Sequence, residues 1–170
     1  MRQIHFLAQG CDFMLNEATQ LINERKYEEA QKFLRKLIEA HPNHPEVNFY
    51  YATTQDALGM EREAIPYYHK ALNHGIKGEL RQQTYFQLGS SYRCIGEYQK
   101  AADILEEGLM NFPDNLALKT LLAMVRYHTD DEKEAVSMLL EVIVYSSSDP
   151  WIQKYRRALS YYADRLDEKW

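Results

Sequence analysis

A chain of 170 residues, 45% hydrophobic and holding only seven glycines, is long enough to bury an extended core and poor in the residues that interrupt helices. Its net charge of −5, with a sequence pI near 5.7, speaks against nucleic acid as a partner, because neutralising phosphates needs a basic surface. The apolar run Ile4-His5-Phe6-Leu7-Ala8 is too short for the core of a signal peptide or a membrane span, and two cysteines far apart, Cys11 and Cys94, suit a reducing compartment, so the expectation is a cytoplasmic chain with no membrane contact.

In chain order the pattern reads as helix pairs. Ala30, Ala64, Ala101 and Ala135 hold the same place in four successive stretches, recurring every 34 residues apart from one three-residue insertion. The phrases around three of them, Tyr27-Glu28-Glu29-Ala30, Gly59-Met60-Glu61-Arg62-Glu63-Ala64 and Gly96-Glu97-Tyr98-Gln99-Lys100-Ala101, each start a helix and then place a small residue where two helices meet. With that alanine as position 20, the repeats span about residues 11–44, 45–78, 82–115 and 116–149. Glu79, Leu80 and Arg81 are inserted between the second and third, which predicts an earlier helix start there.

Size is the constraint at these positions. Glycine or alanine at position 8 and alanine at position 20 let the two antiparallel helices of one repeat approach, where a larger side chain would hold them apart. Pro42 and Pro113 end second helices, because the proline ring and its effect on the preceding residue both oppose helix continuation. Pro45 and Pro150 stand at first helical positions, where a missing amide hydrogen costs nothing, and Asp149 is expected to cap the helix that Pro150 starts. Pro66 falls in or just after a first turn, so a slight distortion without a break is expected.

A last helix is expected over about 150–168. Ile152, Tyr155, Leu159, Tyr162 and Leu166 recur at spacings of three and four and predict an apolar stripe resting on Leu139, Val142 and Ile143 of the helix before it. Trp151, Tyr161 and Trp170 fall off that stripe. Their exposure would form an aromatic patch of the kind enriched at protein interfaces, and a homodimer through this end is the expectation drawn from it.

No catalytic constellation emerges, so the chain reads as a non-enzyme without cofactor or metal. His41 with His44 and His69 with His74 have loosely ligand-like spacings, but no cysteine or carboxylate cluster completes either, and histidine at a helix C-terminus is favoured by the dipole alone. Lys154, Arg156 and Arg157 form a small basic cluster that acidic residues follow, which reads as a solvated helix face.

The period of 34 with these residues at these places is the tetratricopeptide signature. It predicts an all-α, right-handed superhelix of four helix pairs closed by a C-terminal capping helix, one domain over residues 1–170. In such a fold the first helix of each repeat lines the concave face through positions 2, 5, 9, 12 and 13. Leu15, Ile22, Phe49, Phe86, Met124 and Tyr127 are thereby expected to form an apolar seam, with Asp56 and Arg93 facing each other from adjacent repeats. The seam would hold a helix or an extended peptide of another protein. The alternative is a self-associating chain whose groove or C-terminal end is filled by its own copy.

The phrases Asp56-Ala57-Leu58-Gly59-Met60-Glu61-Arg62-Glu63-Ala64-Ile65-Pro66-Tyr67-Tyr68, Leu88-Gly89-Ser90-Ser91-Tyr92-Arg93 and Ser147-Ser148-Asp149-Pro150-Trp151-Ile152-Gln153-Lys154-Tyr155-Arg156-Arg157-Ala158 resemble a family of small single-domain tetratricopeptide proteins found mainly in Gram-positive bacteria. The resemblance spans nearly the whole chain. It implies an interaction module, with a dimer as a further expectation and no catalytic residues. The chaperone-binding branch that grips a C-terminal carboxylate is excluded, since Leu15 and Thr19 stand where its groove needs polar and basic side chains.

Overall fold

The computed structural model describes residues 14–169, and among them every regular element is a helix. Helix α1 covers residues 14–23. It is followed by α2 (Tyr27–Ala40), α3 (Pro45–Ala57), α4 (Glu61–Asn73), α5 (Gly78–Cys94), α6 (Tyr98–Asn111), α7 (Leu116–Arg126), α8 (Glu132–Ser146) and α9 (Pro150–Ala163). The chain divides into two compact units, Met1–Ile95 and Gly96–Trp170, within a stretch that the repeat pattern reads as one domain.

The four position-20 alanines are all buried, three of them completely and Ala135 at 4% exposure. In the first unit α2 packs on α3, α3 on α4 and α4 on α5. Leu34, Leu37, Val47 and Tyr51 join Leu15, Ala18 and Ala30 in one core, with Tyr67 set edge-on against Tyr51 at 4.7 Å between ring centroids. In the second unit α6, α7, α8 and α9 pack in succession. Leu105, Leu118, Val125 and Val144 are buried there.

The helix ends follow from local chemistry. Asn115 Oδ1 accepts from the amides of Ala117 and Leu118 at 3.0 and 3.1 Å, and Asp149 Oδ1 from those of Trp151 and Ile152 at 2.8 and 3.1 Å, so two N-termini have their free donors satisfied. Pro45 and Pro150 stand at the starts of α3 and α9. Pro66 lies inside α4, which continues past it to Asn73; the missing amide forfeits one bond of the ladder and no more. The inserted Glu79-Leu80-Arg81 lengthens α5, which begins at Gly78 and runs 17 residues.

Each first helix passes to its second through one left-handed residue at position 15. Gly59 (φ +74°) and Gly96 (φ +79°) hold it in the second and third repeats, and Arg25 (φ 58°) and Asp130 (φ 57°) in the first and fourth. The conformation turns the chain so that the next amide reaches back to an orphan carbonyl, as Met60 N–H does to Gln55 O and Lys26 N–H to Leu21 O, both at 2.9 Å.

Two expectations for the last helix need correction. Helix α9 ends at Ala163, not near residue 168. Its inward face is also rotated from the expected stripe: Ala163 is buried and Ile152 and Leu159 half-buried, whereas Tyr155, Tyr162 and Leu166 are exposed. Leu139 and Ile143 on α8 stay exposed as well, while Val142 is half-buried. A helix with apolar residues on two faces can be turned either way by its packing, and spacing alone does not choose.

Candidate partner-binding site

The residues expected to line a groove separate by environment. Leu15 and Phe49 are buried, at 6% and 3% exposure. Leu15 belongs to the first core, and Phe49 lies edge-on to Tyr50 at 5.1 Å and tilted against Tyr68 at 6.2 Å. Ile22 packs against the same core as a partly buried residue. As surface anchors Leu15 and Phe49 are therefore corrected to core residues, because the aromatic side chains of α3 and α4 fill the space around Phe49. Phe86 remains half-exposed on α5. Met124 and Tyr127, in the second unit, are exposed at 43% and 65%.

Asp56 and Arg93 do not pair. The Asp56 carboxylate accepts from Tyr68 Oη at 2.8 Å and from Ser91 Oγ at 3.0 Å, so one side chain of α3 is held by α4 and α5 together. Burial pushes the Asp56 carboxyl up to about 6, against the two hydrogen bonds that favour its charged form, and nearby Glu61 adds a smaller upward push. Burial likewise raises the Tyr68 phenol far above its ordinary value, with the Asp56 charge second. Arg93 is half-buried, and its Nε is enclosed without a hydrogen-bond partner.

Direct contact between α3 and α5 puts these groups on neighbouring first helices. Thr53, Asp56, Phe86, Ser90 and Arg93 stay partly open, and Glu46, Ala57, Gln83 and Cys94 fully so. Along α5 the surface carries an aromatic ring, Phe86, and seven residues on a guanidinium, Arg93, that has an unused donor. Cys94 is a free thiol.

Sequence reasoning missed the residues that organise the polar contacts. Ser91 and Tyr68 were not expected to hold Asp56. His69 and Tyr92, four and five helices along, meet at 2.8 Å between Nε2 and Oη. In the second unit Arg126 on α7 bonds Glu106 of α6 and lies 3.5 Å from Glu134 of α8, and Lys119 of α7 pairs with Glu141 of α8. The spacing of basic residues on α7 was the available signal. Tyr98 is half-buried and stacks on His128 at 4.5 Å and 11°.

At the C-terminal end Trp151 and Tyr161 are exposed at 63% and 46%, while Trp170 lies outside the described residues. Trp151 stacks on Tyr155 at 6.2 Å. Among the described residues no three metal-ligating side chains converge, and no helix is long and apolar enough to cross a membrane.

A family profile described as tetratrico peptide repeat matches residues 45–166, and a second, tetratricopeptide repeat, matches 12–44. The chain belongs to the tetratricopeptide-repeat family. Solved tetratricopeptide structures agree in fold. YrrB, described as a tetratricopeptide protein with an unusual peptide-binding site, is 17% identical at a TM-score of 0.69, over 91% of this chain and 78% of its own. MamA from Desulfovibrio magneticus RS-1 is 17% identical at 0.70, over 91% and 85%. PilF of Pseudomonas aeruginosa is 16% identical at 0.69, over 92% and 70%. No curated protein matches the chain. At these identities the likeness is one of fold, and tetratricopeptide folds serve as protein-interaction scaffolds.

Proposed function

We propose that this tetratricopeptide chain is a non-catalytic adaptor that holds a helix or an extended peptide segment of another protein against α3 and α5. Phe86 supplies the apolar contact, and Arg93 and Asp56 fix the register. The observation that carries this is Arg93 Nε, enclosed without an acceptor seven residues along α5 from the half-exposed Phe86. A peptide carbonyl or carboxylate would satisfy that donor, and leaving it unmet costs free energy in the unbound state. Ile22, at the border of the first core, is a further contact. The exposed Cys94 thiol fits a reducing cytoplasm.

Affinity capture from the native cell, with the wild-type chain and a Phe86→Ala, Arg93→Ala variant of equal thermal midpoint as baits, tests the reading. Loss of one specific protein from the variant supports it. Identical captured proteins would defeat it. Self-association through Trp151 and Tyr161 is the rival reading, favoured by their exposure, and the charge of α9 sets it second.

A further inference from the structure

Helix α9 starts at Pro150, the residue after the fourth repeat. In α3 and α7 the small residue at position 8, Ala52 or Ala123, is covered by the second helix of the same pair, α4 or α8, and both alanines are buried at 0% and 1% exposure. In α9 position 8 is Arg157, and the small residue, Ala158, stands one place further on, with Tyr161 three places beyond it. Ala158 is only half-buried, and it floors an open depression walled by Arg157, Tyr161 and Tyr162. Trp151, Tyr155, Ala158 and Tyr162 recur at spacings of four, three and four, so this outer face is an apolar seam of helical period, separate from the inner one that rests on α8. No helix follows α9 among the described residues.

Charge says what fits there. In this unit the first helix α7 is basic, through Lys119 and Arg126, and lies between two acidic second helices. Helix α6 sets Asp103, Glu106 and Glu107 against Lys100, and α8 sets Glu132, Glu134 and Glu141 against Lys133. The ion pairs of Arg126 with Glu106 and Glu134, and of Lys119 with Glu141, run along those contacts. Helix α9 repeats the basic member: it holds Lys154, Arg156 and Arg157 and no acid. It lies on acidic α8, and among the described residues no other helix packs on it, while Arg165, just past its end, lies 4.2 Å from the Tyr161 ring centroid. Lys154 Nζ sits 4.6 Å from the Trp151 ring centroid, and neither it nor Arg157 is within ion-pair distance of a carboxylate among the described residues. Arg156 lies over Tyr145 of α8, so pairing this face with that of a second copy would set Lys154 and Arg157 against their own kind, which disfavours a symmetric dimer through it.

We propose that the outer face of α9 takes an acidic amphipathic helix from a partner protein, seated over Ala158 with carboxylates toward Lys154 and Arg157. This site is separate from the α3–α5 surface.

The chain's own α6 is the probe. A peptide of Tyr98–Asn111, held helical by a staple on its polar face and labelled for fluorescence anisotropy, is titrated with the full chain. Saturable binding is expected, weakened at least tenfold by Lys154→Glu with Arg157→Glu in the protein, and likewise by Asp103→Asn, Glu106→Gln and Glu107→Gln in the peptide. Phe86→Ala should leave it unchanged. Both basic side chains are exposed, so the protein variant should keep the wild-type circular dichroism and thermal midpoint; Tyr162→Ala, with the charges intact, provides a second loss of binding. No saturable binding, or equal binding to the charge-reversed protein, overturns the proposal. So does a wild-type dimer that the charge reversal dissociates in sedimentation, which would give the face to a second copy, and so does equally tight binding of a single-stranded oligonucleotide.

Discussion

Tyr68, fully buried on α4, donates its hydroxyl hydrogen to Asp56 Oδ2 on α3 at 2.8 Å. Ser91 of α5 donates to the same carboxylate, so a single acidic side chain links three helices of the first unit. Removing the phenolic hydrogen leaves the carboxylate one donor short in a partly desolvated place, and hydrogen bonds to charged groups contribute more than neutral ones. Tyr68→Phe, which keeps the ring packed against Phe49, is expected to destabilise by about 1–3 kcal/mol. Urea denaturation checks this; an unchanged midpoint would mean that the bond contributes nothing net.

The same site gives a pH dependence. The Asp56 carboxyl rises to about 6 from an ordinary 3.8, chiefly through burial, so the folded chain holds this proton more tightly than the unfolded chain does. The resulting stabilisation is fully present below the unfolded value and is lost as pH climbs through the folded one. Solvent at the partly open site reduces the effect, leaving roughly 1–2 kcal/mol between pH 4 and 7. Asp56→Asn is neutral throughout that window. Its stability relative to wild type should therefore improve from pH 4.5 to 7.5, and a difference that stays flat with pH would remove the assignment to Asp56.

The contrast between Ala30 and Asp56 shows what a sequence of this kind discloses. Ala30, Ala64, Ala101 and Ala135 were legible because the constraint at a helix contact is one of size, and size is a property of one residue. The partners of Asp56 were not legible, because the rotation of α5 decides whether Ser91 or Arg93 meets it, and two polar residues within one turn offer the pattern no preference. Position 5 of a first helix predicts a surface place for Phe49, but the large Tyr68 beside it closes the space. Helix α9 misled for a third reason. Ile152, Leu159 and Ala163 mark one face and Trp151, Tyr155 and Tyr162 another, so the spacing fits two phases and tertiary packing selects one.

Close approach within a pair predicts intolerance of bulk. Ala64 on α4 has no exposed surface, and α4 packs on α3. Ala64→Leu must open that contact or push side chains off their rotamers, for about 1–3 kcal/mol of destabilisation. Ala101→Leu on α6 should behave alike. Thermal unfolding followed by circular dichroism reads both, and a wild-type midpoint in either would argue against a size constraint at position 20.

The turn at position 15 yields the last prediction. Its left-handed conformation is occupied without strain by Gly59 and Gly96, but Arg25 and Asp130 must hold it with a β-carbon. For an ordinary side chain that conformation costs about 1–2 kcal/mol, and aspartate bears it better than most because its short polar side chain bonds locally. Glycine relieves the strain but gives back roughly 0.5–1 kcal/mol through the greater freedom of the unfolded chain. Arg25 is exposed, so little else is lost with its side chain. Arg25→Gly is accordingly expected to stabilise by roughly 0.5–1 kcal/mol, and Asp130→Gly to be close to neutral. Paired urea melts at one pH separate the two. If Arg25→Gly destabilises while Asp130→Gly does not, the arginine contributes to the fold through something other than its turn, and backbone strain at that place is not what limits the first repeat.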